Sequence, residues 1–138
     1  MALKLIPQDV IKLREAYDER KAEYDALRAI GRWPGAILLA GTLLELALKL
    51  VLCKLFGVAN LPTIFQVHDL DLLFYCSGQY SQLAANSLLR QNFSFILKNW
   101  SMALRYEVAI KTKPDADAFD VALFDPTHGV ITFLAQYF

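Results

Sequence analysis

The chain has 138 residues, 56% of them hydrophobic and 12% aromatic, with 14 basic residues balancing 14 acidic ones. That length makes a single domain, residues 1–138, whose core holds without disulfides or metal. Balanced charge excludes a global field that would draw nucleic acid or an anionic membrane, so any such binding must come from a local patch.

The hydrophobic share exceeds the about 45–50% usual for soluble domains, and surplus apolar surface of this kind predicts a homodimer. Cys53 and Cys76 are isolated thiols at no metal-ligand or redox spacing, and the start MALKLIPQDV lacks the long apolar core of a secretory signal. The expected setting is reducing and cytoplasmic.

From about Gln8 to Ala29 the sequence is amphipathic, with Val10, Leu13, Tyr17, Tyr24 and Leu27 in line and Arg20 interrupting them. This predicts a surface helix with one buried stripe, started near Pro7 and closed by the punctuation Gly31-Arg32-Trp33-Pro34-Gly35. So short a connection favours an antiparallel neighbour.

That neighbour is Gly35 to Phe56, GAILLAGTLLELALKLVLCKLF, rich in Leu and Ala and free of Pro. Composition makes it helical throughout. Thr42, Glu45 and Lys49 form one narrow polar stripe and apolar residues cover the other faces, so other helices must surround it. Its length would span a bilayer. Against this, Glu45, Lys49 and Lys54 would each cost about 2.5–3.5 kcal/mol near the membrane centre, and no membrane role is expected. Glu45 and Lys49 have the favoured orientation for an i,i+4 ion pair, contributing ~0.3 kcal/mol if exposed.

Gly57 suits a left-handed helix end, and a loop follows to about Val67. His68 to Tyr75 reads as a short helix with His68 or Asp69 at its start, ending near Ser77-Gly78. A fourth helix is expected from about Ser81, carrying Leu89, Phe93, Ile96, Trp100 and Leu104 on one face. Ala109 to Asp117, which contains Lys113-Pro114, reads as a loop. Helical character returns from Ala116 to Phe124, breaks at Asp125-Pro126 and resumes through Val130, Phe133 and Tyr137. Val130 to Phe133 alone has strand character, but without a partner it is read as helix. The fold class is therefore all-α, an antiparallel helical bundle of about five helices around the apolar second one.

Leu44-Glu45-Leu46-Ala47-Leu48-Lys49, then His68-Asp69-Leu70 with Leu73, and later Arg105-Tyr106, resemble the HEPN domains (higher eukaryote and prokaryote nucleotide-binding domains). The resemblance runs from about Gln8 to Tyr137. It implies a compact, commonly dimeric helical bundle that belongs to toxin-antitoxin or defence systems, cleaving RNA or binding alongside a nucleotidyltransferase partner. Cleaving members resemble one another in an Arg followed by four to six residues and a His. This chain departs from that pattern. After Arg105 the permitted positions hold Ile110, Lys111 and Thr112, after Arg90 they hold Phe95, Ile96 and Leu97, and the only histidines are His68 and His128.

The chemistry agrees with the departure. Cleaving RNA with its own 2′-hydroxyl needs a proton acceptor and donor near neutral pH, and a fixed cation at the phosphate. Without an Arg and His pair the expectation is a non-catalytic interaction, nucleotide-binding or RNA-binding module. Two other readings stay open. One is a divergent metal-independent endoribonuclease in which Arg105 acts with Tyr106 or Lys111 in place of the missing His; the other is a structural subunit of a protein complex.

The candidate ligand-binding residues are Glu45, Lys49, His68, Asp69, Trp100, Arg105, Tyr106 and Lys111. Asp69 reads first as a helix cap, and His68 would reach Glu45 and Lys49 across the bundle as a buried polar cluster. Trp100, Arg105, Tyr106, Lys111 and Lys113 have the aromatic and basic character that stacks bases and meets phosphates, extended by Arg32, Arg90 and Lys98 and opposed by Asp115, Asp117 and Asp120. Core packing of Trp100 beside solvated lysines is the plainer reading. His128 is expected near a helix start, in a surface or capping role. No metal site or cofactor is expected, since the chain has no Gly-rich phosphate loop and no CxxC, Asp69 and Asp71 do not share a helix face with His68, and no second His or Cys lies at a usual spacing from it.

Overall fold

The computed structural model describes residues 7–106 and 111–138. Among them are seven α-helices: α1 Val10–Ala29, α2 Trp33–Phe56, α3 Leu70–Cys76, α4 Tyr80–Ala85, α5 Ser87–Asn99, α6 Lys113–Phe124 and α7 Val130–Leu134. Three short 3-10 turns, Thr63–Phe65, Met102–Arg105 and Ala135–Tyr137, complete the regular structure. No strand occurs among the described residues, so the all-α class holds.

Asp9 starts α1 by accepting from the Ile11 and Lys12 amides at 2.7 and 3.3 Å, which satisfies donors that the first turn leaves free. The turn at Ile30–Arg32 passes through Gly31 at φ 75° and leads directly into α2, where Pro34 sits in the first turn and its missing N–H costs nothing. At the other end Gly57, at φ 61°, closes α2, and its neighbour Val58 donates to the Cys53 carbonyl at 3.0 Å. Beyond it, Val10 N–H meets the Ala59 carbonyl and Leu61 N–H meets the Gln8 carbonyl, each at 2.8 Å. With both ends tied, α1 and α2 form an antiparallel hairpin.

α2 is the axis of the molecule. From Ala36 to Cys53 it is buried on nearly every face, contacted by α1, α3, α6 and α7. By length and composition it would cross a bilayer, yet most of it is enclosed by other helices of this chain. Trp100 shows how close the wrapping is. Its indole lies directly on Gly41, where an added Cβ would fall 1.9 Å from a ring carbon, and its Nε1 donates to the Leu38 carbonyl at 3.1 Å. On another side Phe74 of α3 packs 4.7 Å from the Phe93 ring of α5 and 6.5 Å from Phe133 of α7.

Several expectations are corrected. Among the described residues there are seven helices where about five were expected, because the fourth run divides and the tail forms two helices on either side of the expected break at Asp125-Pro126. The fourth helix breaks at Asn86, whose side chain turns back to accept from Leu89 N–H at 3.1 Å and so starts α5 afresh. Leu104 lies in the turn Met102–Arg105 rather than on that helix, and Trp100 follows its last residue in extended conformation.

Of the segment read as a loop, Ala109 and Ile110 lie outside the described residues, while Lys113 to Asp117 are helical. Pro114 marks the start of α6, not a break. Thr112 and Asp115 close a capping box there, the Asp115 carboxylate accepting from the Thr112 amide at 2.9 Å and its hydroxyl at 3.0 Å.

Candidate functional site

Leu38, Gly41, Thr42, Glu45 and Lys49 recur every three or four residues and lie along one face of α2. Trp100 covers the Leu38 end, and the turn Met102–Arg105 behind it also packs on α2, with Met102 and Leu104 half-buried against the core. Toward the other end the chain leaves Gly57, turns through Thr63–Phe65 with Phe65 stacked 5.7 Å from Phe56, and runs back beside α2. From Phe56 to Glu45 that return covers about 16 Å of helix. It delivers His68 to Glu45.

His68 Nδ1 lies 2.7 Å from Glu45 Oε1, and Lys49 Nζ donates to Glu45 Oε2 at 3.2 Å. Glu45 and Lys49 form the expected i,i+4 pair but are buried, so the value for an exposed pair does not apply, and His68 joins them in the expected three-residue cluster. The His68 side chain is 57% exposed against 10% for Glu45. An ionised carboxylate only accepts, so the hydrogen between them sits on Nδ1. Nε2, on the far edge of the ring, is then the acceptor of the neutral imidazole. Lys49 holds the second carboxylate oxygen and fixes the orientation of the first. Unpaired, either buried charge would be costly.

The remaining candidates part company. Asp69 caps α3, accepting from Leu72 N–H at 3.0 Å, and Trp100 is core. Arg105 and Tyr106 are exposed at the end of the turn that packs on α2, with Tyr106 84% exposed. Lys111 stands against two helices. It lines a hollow of about 110 Å³ between α5 and α6 with Phe95, Asn99, Asp115, Ala118 and Phe119. Lys113 is paired with Asp117 at 2.7 Å, and Arg90 donates to the Ala84 carbonyl at 2.9 Å, so the extended basic patch is divided among local partners. His128 stands beside Asp125, which caps the turn by accepting from the Thr127 and His128 amides.

One polar group lay beyond sequence reasoning. Tyr24 of α1 donates to Asp120 of α6 at 2.7 Å, and Arg28 reaches Asp117 at 3.0 Å. Burial raises the Tyr24 hydroxyl well above its ordinary range, with the Asp120 hydrogen bond adding to it. Hydrogen bonds from Lys113 and then Arg28 hold the Asp117 carboxyl below the usual range. These pairs lie 89 and 96 residues apart, and no local spacing signals them. Among the described residues no group of three or more His, Cys, Asp and Glu side chains is placed to hold a metal ion.

The chain matches no protein-family model, and no curated protein and no solved structure is significantly similar to it.

Proposed function

We propose that this chain is a HEPN-like helical-bundle module that binds a nucleotide or RNA segment without cleaving it, as an accessory partner in a toxin-antitoxin or defence-type system. The observation that carries the reading is the exposed His68 imidazole, held at 2.7 Å by a buried carboxylate that Lys49 braces from behind. Such a ring presents Nε2 at a fixed angle, as an acceptor for a base-edge donor when neutral and as a donor to a phosphate oxygen when protonated. Arg105 and Tyr106, exposed on the turn that packs on α2, supply a cation and a stacking ring. A homodimer would form through the trough between α5 and α6, walled by Phe95, Pro114, Ala118 and Val121, and a nucleotidyltransferase-type protein is the expected partner.

The test is fluorescence anisotropy with short single-stranded RNA and with nucleotides, beside an RNA-cleavage assay. His68→Ala and Arg105→Ala are each expected to weaken binding about tenfold, a change of ~1.4 kcal/mol, with RNA intact throughout. Equal binding by both variants would contradict the reading.

A second reading has its own support. A His whose Nδ1 is held by a carboxylate has the geometry of a general acid or base, which supports a divergent endoribonuclease in which His68 takes the role expected of Tyr106 or Lys111. RNA cut by the purified protein, and spared by Arg105→Ala, would select it.

A further inference from the structure

Away from the His68 face, the start of α1, the end of α2 and Phe138 enclose a groove of about 410 Å³. Val10, Leu50, Cys53, Val58 and Phe138 form its walls, and among the described residues the charged side chains lining it are Arg14 and Lys54. The volume falls within the range of small-molecule sites, about 300–1,000 Å³. Phe138 is fixed in place, its ring 5.5 Å from Tyr17 and 5.4 Å from the Arg14 guanidinium.

The thiol of Cys53 adds to the apolar character. Burial pushes it above its ordinary range, with Asp9 contributing, so the sulfur is uncharged at neutral pH. Asp9 itself is occupied by the Ile11 and Lys12 amides. The two cations are poorly matched by acids. Among the described residues the one carboxylate within 4 Å of either is Asp18, whose oxygen stands 3.7 Å from Arg14 Nε on an exposed helix face. An apolar trench with two positive side chains, and no acidic side chain among its described lining residues, selects a particular chemistry.

We infer that this groove binds a free fatty acid, the chain lying along Leu50, Val58 and Phe138 and the carboxylate meeting Arg14 and Lys54. The two parts of the ligand match the two parts of the wall. A neutral alcohol of the same length would satisfy the trench and leave the cations unanswered, while a short carboxylate would do the reverse.

Calorimetric titration with decanoate below its micellar concentration, beside decanol and acetate, tests this on the full chain. Decanoate is expected to bind at least tenfold more tightly than either. Arg14→Ala with Lys54→Ala should bring decanoate down to the level of decanol, and Val58→Trp should remove both.

Equal binding of decanoate and decanol would overturn the inference. So would binding to phosphatidylglycerol vesicles with no affinity for free decanoate, which would make the groove a membrane contact. A change in sedimentation on Val58→Trp, with decanoate inert, would make it an interface between copies. If Val58→Trp fails to fold, the paired Arg14 and Lys54 substitutions still decide, because both side chains lie at the rim.

Discussion

A buried carboxylate and ammonium on one helix are tolerable only because each answers the other, and Glu45 answers His68 as well. Removing one member is therefore worse than removing two. Glu45→Leu strands the Lys49 charge in the core and is expected to destabilise the fold by about 3–5 kcal/mol, while Glu45→Leu with Lys49→Met should return to within ~1 kcal/mol of the parent. Urea denaturation checks both, and a single variant as stable as the double would show that the pair is not buried.

Tyr24 makes a second prediction at this scale. Its hydroxyl is raised in the folded state, so the stability it contributes is complete below the unfolded value near 10 and is lost as pH climbs above it. Melting temperature should fall above about pH 10, and Tyr24→Phe should flatten that fall. An unchanged alkaline profile in Tyr24→Phe would contradict the assignment.

Among the elements, α2 was legible because composition, length and the flanking Pro34 and Gly57 all point one way. The His68 contact with Glu45 was legible only as a reach across the bundle, since nothing local fixes how far the chain returns after Gly57. Two boundaries were hidden. Asn86 sits inside a run that keeps helical periodicity on both sides, and its capping role depends on a side-chain rotamer that spacing does not encode. Pro114 carries opposite meanings inside a helix and at its first turn, and only the Thr112 and Asp115 box decides between them.

Gly41 was unreadable for a different reason. A glycine in a Leu-rich helix shows its purpose only once Trp100 is placed against it, 59 positions later in the chain. Gly41→Ala should force that indole outward and cost about 1–3 kcal/mol, read as a lowered urea midpoint with reduced Trp fluorescence burial. A neutral effect would mean that the indole does not rest on α2.

The whole molecule is one apolar axis wrapped by shorter helices, and its faces have separate uses in this account. The trough between α5 and α6 includes Val121, 56% exposed, on the face assigned to dimerisation. Val121→Asp should leave helicity unchanged and shift sedimentation from dimer to monomer at micromolar concentration. A parent that sediments as a monomer there would remove that assignment.

Central to the account is the claim that the His68 face takes up an anionic nucleotide or RNA without breaking it. With two histidines in the chain, histidine-selective imidazole NMR during titration with short RNA separates the faces cleanly. The account predicts that the His68 Nε2 resonance moves, that His128 stays where it is and that the RNA is recovered whole; a moving His128 with a silent His68, or shortened RNA, would contradict it.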